Sequence, residues 1–110
     1  MGSILTDVKK MIGVGEEYDH FDVDIMVDTN LALAIATQMG VGPITGFSIS
    51  GPEVLWTDFI PESPLLHFVK SFICLKVKLI FDPPTNGAAL ESLKALIAEQ
   101  EWRIISQLET

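Results

Sequence analysis

SPLLHFVKSFICLKVKLIFDPP, running from Ser63 to Pro84, decides the fold class of this chain. The Ser63 hydroxyl is suited to accept from free backbone N–H groups, and proline is tolerated at the first helical position, where no N–H is needed. A helix is therefore expected over 64–81. It stops there because Pro83 and Pro84 cannot continue a helix, and a residue preceding proline is pushed out of helical geometry. Phe81-Asp82-Pro83-Pro84 reads as a rigid joint.

Downstream of the joint, Leu90, Leu93, Ile97, Ile104 and Leu108 share one face of a last helix, about 88–108. Upstream, residues 41–62 contain Gly42, Pro43, Gly46, Gly51, Pro52 and Pro61, too much punctuation for a helix. Phe47 to Ile49 and Val54 to Trp56 are strand-like, and with Ser50-Gly51-Pro52-Glu53 between them they predict a small β-hairpin or an ordered loop. Before that, Phe21, Ile25, Ala32, Ile35 and Met39 mark a helix over about 22–39, stopped at Gly40, with Asp22 and Asp24 suited to its electropositive first turn. Ile4, Leu5, Val8, Met11 and Ile12 mark a shorter one over about 4–12, ended by Gly13 and followed by an acidic loop. The expectation is an all-α fold of four helices, the two longest forming an antiparallel pair crossed by the earlier two. At 110 residues, 12.1 kDa and 48% hydrophobic composition, one domain over 1–110 is expected, because two pieces would each be too small to bury an adequate core.

Charge is unevenly placed. Between Lys10 and Lys70 there is no Lys or Arg, while Glu16, Glu17, Asp19, Asp22, Asp24, Asp28, Glu53, Asp58 and Glu62 give that stretch −9 and leave the rest at +1, for a total of −8. Such a balance disfavours nucleic-acid backbones and anionic lipid. Glu16, Glu17, Asp19, Asp22 and Asp24 form the candidate acidic surface; the plainer account is a solvated run of loop and helix-start carboxylates. Cys74 is the only cysteine, so no internal disulfide is expected and a buried thiol is the default. Residues 1–7 lack the regions of a secretion signal and lysines interrupt the one long apolar stretch, which predicts a soluble, intracellular chain.

No catalytic motif emerges. His20 and His67 are the only histidines, and neither sits in a recognisable nucleophile arrangement. His67 and Cys74 share a helix face but lack further ligands. Gly13-Val14-Gly15 and Gly40-Val41-Gly42 lack the Lys and Ser/Thr of a phosphate loop, and the acids from Glu16 to Asp24 lack EF-hand spacing. No enzymatic activity, cofactor or metal is expected. Two ionisable residues fall at positions where helical projection gives apolar neighbours, Asp28 and Lys76, and they are a candidate buried pair; a lysine that merely snorkels to water is the competing reading. Trp56 and Phe59 in the Gly/Pro-rich loop either anchor it or serve as interface hot spots. Trp102 lies off the main stripe of its helix, with Arg103 beside it. Trp56, Phe59, Trp102 and Arg103 are the candidate interface.

The order of Ile4-Leu5-Thr6-Asp7-Val8-Lys9-Lys10, Phe21-Asp22-Val23-Asp24-Ile25, Met39-Gly40-Val41-Gly42, Leu75-Lys76-Val77-Lys78-Leu79-Ile80-Phe81-Asp82-Pro83-Pro84 and Glu101-Trp102-Arg103 resembles the head-tail connector, or head-completion, proteins of long-tailed phages and prophages. The resemblance implies a structural subunit of a homo-oligomeric ring, a dodecamer being one size for it, with a monomer as one state in isolation. It implies docking on the portal protein, a neck or tail-completion protein as next partner, DNA that passes without specific binding, and no membrane. It places the protein in the virion neck, and in the host bacterial cytoplasm during assembly. An acidic protein-binding regulator that mimics nucleic-acid charge is the alternative.

Overall fold

The structure, a computed structural model, describes residues 2–109. It contains five helices: α1 (Ile4–Met11), α2 (Asp22–Gln38), α3 (Trp56–Phe59), α4 (Pro64–Phe81) and α5 (Gly87–Leu108). Helices α1, α2, α4 and α5 lie where helices are expected, and side-chain caps set the starts of α1, α4 and α5. The Ser3 Oγ accepts from the Thr6 N–H at 3.2 Å, and the Ser63 Oγ accepts from the Leu66 N–H at 3.3 Å. The Asn86 Oδ1 accepts from the Ala89 N–H at 3.0 Å, which starts α5 at Gly87 rather than at residue 88.

Helix α4 is the centre of the molecule. It packs most extensively on α5, then on α2, then on α1. Val69, Phe72, Ile73 and Val77 along it are completely buried, each such side chain contributing roughly 1.5–3 kcal/mol by leaving water. With residues 82–86 as their only link, α4 and α5 form a helical hairpin. Leu93, Ile97 and Ile104 are the α5 residues it buries, whereas Leu108, expected in that stripe, stays 38% exposed.

No sheet forms among the described residues, and of the two alternatives expected for 41–62, a small hairpin or an ordered loop, the hairpin is absent. Val54–Trp56 finds another partner: the Ile4 N–H donates to the Val54 carbonyl and the Trp56 N–H to the Gly2 carbonyl, both at 3.1 Å, forming a single antiparallel bridge between Ser3 and Leu55. The Phe47–Ile49 run is held by α2 instead. The Asn30 Oδ1 accepts from the Ile49 N–H at 2.7 Å, and the Asn30 Nδ2 donates to the Ile49 carbonyl at 3.2 Å. A two-stranded hairpin alone is marginal in water; backbone already fixed on helices is the better partner. The loop then turns into α3, the fifth helix, where the Leu55 N–H donates to the Asp58 Oδ2 at 2.8 Å.

Candidate functional site

The loop aromatics are anchors. Trp56 is 2% and Phe59 4% exposed, the placement that the anchor alternative of the two requires. The polar end of Trp56 explains its burial: its Nε1 donates to the Asp7 Oδ2 at 2.8 Å, while Lys70 sits 5.7 Å from the ring centroid and 3.7 Å from the same carboxylate oxygen. Phe59 meets Phe47 at 4.9 Å between centroids, and at Gly42, whose φ is +80°, any Cβ would collide with the Phe59 ring. Trp102 is different. It is 63% exposed on α5, with the Arg103 guanidinium 6.0 Å from its ring and 3.0 Å from Glu99.

Of the candidate acidic surface, Glu16, Glu17, Asp19 and Asp24 are exposed. Asp22 turns inward, its Oδ1 lying 2.8 Å from Lys9 Nζ. Lys9 is 3% exposed and also donates to the Glu16 carbonyl at 2.9 Å, so one buried ammonium ties α1 to the acidic loop and to the start of α2. The Asp22 Oδ1 accepts no well-aligned hydrogen bond; its contact with Lys9 is ionic. The α1 stripe is correspondingly rotated: Met11, expected inside, is 49% exposed.

Asp28 and Lys76 are both half-buried, and no ion pair among the described residues joins them. Asp28 instead lines a groove of about 550 Å³ between α2 and the end of α4, with Phe21, Asp24, Val27, Ile80 and Phe81. Its carboxyl is held above the ordinary carboxylate range, first by partial burial and then by the charge of Asp24. Phe21, expected in the core, is 37% exposed; it meets Phe81 edge-on at 5.7 Å.

The groove continues into an apolar row along α2: Val23 is 70%, Val27 63% and Leu31 51% exposed. The signal was available as a four-residue spacing in the sequence. It was masked because α2 is apolar on its inner side too, where Ile25, Ala32, Leu33 and Ala36 are buried.

Cys74 is buried, and its thiol is pushed up to about 12 by desolvation first and Asp7 second, against the opposing effect of Lys70. His67 faces solvent, 3.9 Å from Glu62, away from that thiol's burial. Among the described residues no three His, Cys, Asp or Glu side chains converge to hold a metal ion, and no helix is long and apolar enough to cross a membrane. Exposed apolar side chains occur around the α2 groove and at Trp102, and also at Ile44 and Tyr18.

In comparisons with known proteins, residues 4–110 match the family model described as Phage connector protein. No curated protein and no solved structure matches the chain.

Proposed function

Because the chain belongs to the phage connector protein family, we propose that it is one subunit of a head-tail connector, a ring of identical copies that docks on the portal and links the capsid to the neck or tail. The family match over residues 4–110 carries this reading. Two surface features support it. A closed ring needs two different, mutually complementary patches on each subunit, and exposed apolar area occurs on α2 and, separately, around Trp102 on α5. The exposed carboxylates Glu16, Glu17, Asp19 and Asp24 suit a passage through which DNA slides, since cations there would hold the phosphates. The subunit works by binding, without catalysis or cofactor, in the virion neck after assembly in the host cytoplasm.

Sedimentation of the purified chain with the purified portal oligomer at physiological salt tests the proposal. The chain is expected in the portal fraction. If it stays in the supernatant and is instead retained by a basic nucleic-acid-binding protein, the charge-mimic reading replaces the connector.

A further inference from the structure

Resting on the ring reading, we propose that the groove between α2 and the end of α4 is a socket for a second copy of this chain, which seats Trp102 in it and sets Arg103 against Asp24 and Asp28. The groove has apolar walls, Phe21, Val27, Ile80 and Phe81, and two carboxylates. It has no cation in its lining: Lys76 and Lys78 shortly precede Ile80 in sequence but do not line it, and Lys78 is engaged with Asp82 at 3.0 Å. Asp24 and Asp28 stand one helical turn apart, a like-charge spacing that is unfavourable without a counter-ion. An occupant that completes this site brings one large apolar group and one cation.

The chain carries that combination. Trp102 is the most exposed aromatic among the described residues, and Arg103 lies beside it. Tryptophan and arginine are the side chains most enriched at interface hot spots, and the planar guanidinium can bridge two carboxylates. Its present partner, Glu99, is an exposed neighbour on the same helix with a side chain 49% accessible, a weak pair that exchanges readily. Geometry favours a head-to-tail contact: α4 packs on both α2 and α5, and the groove is built from α2 with the end of α4 whereas Trp102 stands on α5, in a molecule of 38 × 35 × 22 Å. Socket and plug are thus different patches of one subunit, as a heterologous interface that closes into a ring requires.

The test uses three full-length variants, Trp102→Ala, Asp24→Arg with Asp28→Arg, and Arg103→Glu, in sedimentation velocity at high concentration and in assembly on the purified portal oligomer. Each variant alone is expected to associate at least tenfold more weakly than the parent chain, with unchanged thermal melting for Trp102→Ala and Arg103→Glu, whose side chains are exposed, and a small shift at most for the double variant, since Asp24 is exposed and Asp28 half-buried. Mixing the Asp24→Arg/Asp28→Arg chain with the Arg103→Glu chain is expected to restore association, since every junction then joins opposite charges. Parent-like association by the variants, or loss without rescue in the mixture, overturns the socket while leaving the connector reading intact. A parent chain that associates neither in solution nor on the portal overturns both.

Discussion

Lys9 is the residue on which the acidic end of the molecule depends. An ammonium 3% exposed has lost nearly all its hydration, and Asp22 at 2.8 Å and the Glu16 carbonyl at 2.9 Å replace it. The balance between desolvation and attraction makes the two partners unequal. Removing the carboxylate strands a buried charge, whereas replacing the lysine by an apolar side chain of similar length removes charge and desolvation cost together. Asp22→Ala is therefore expected to lower the unfolding free energy by about 3 kcal/mol, and Lys9→Met by clearly less. Urea denaturation at pH 7 measures both; a larger loss for Lys9→Met contradicts this account of the pair.

At the scale of elements, the helix limits were legible because single residues set them. Ser63 and Pro64 start α4, and Asp82-Pro83-Pro84 ends it, where the structure has them. The loop over 41–62 was less legible, because its partners are distant in sequence. Val54–Trp56 has strand character in isolation, but its neighbour is residues 2–4, about fifty positions away, and Trp56 is tied to Asp7 of α1 as well. Trp102 could be placed outside from the helical wheel alone. The α2 groove could not, since half its wall, Ile80 and Phe81, comes from another helix. Nor did the sequence point to Asn30 as the clamp on the loop. Its amide reproduces both halves of a backbone pairing with Ile49, which is itself 4% exposed. Asn30→Ala leaves that N–H and C=O without partners, an expected loss of about 2 kcal/mol. Amide hydrogen exchange at Ile49 should accelerate in the variant by a larger factor than that of the amides in the middle of α4; equal acceleration at both sites means that Asn30 supports the whole fold rather than the loop.

For the whole molecule, the decisive property is the separation of charge along the chain: −9 between Lys10 and Lys70 against +1 elsewhere. Self-repulsion within such a stretch opposes compactness, and the same charge repels any anionic partner. Duplex DNA, with its dense row of phosphates, is the partner most strongly repelled. Each replacement of an acid by lysine adds two charges, so the four exposed positions Glu16, Glu17, Asp19 and Asp24 bring the net charge from −8 to zero when all are changed. The parent chain is expected to leave DNA mobility unchanged at every salt concentration. The fourfold lysine variant is expected to retard DNA at low salt and release it as salt rises, the signature of phosphate neutralisation. Net charge and local placement separate in a control carrying four such reversals at Glu91, Glu99, Glu101 and Glu109 of α5 and its C-cap, which reaches the same net charge from a different surface. Retardation by the first variant and not by the second locates a DNA-facing surface on the acidic loop and the start of α2; equal retardation by both reduces the effect to net charge and removes the acidic surface as a special feature of the passage.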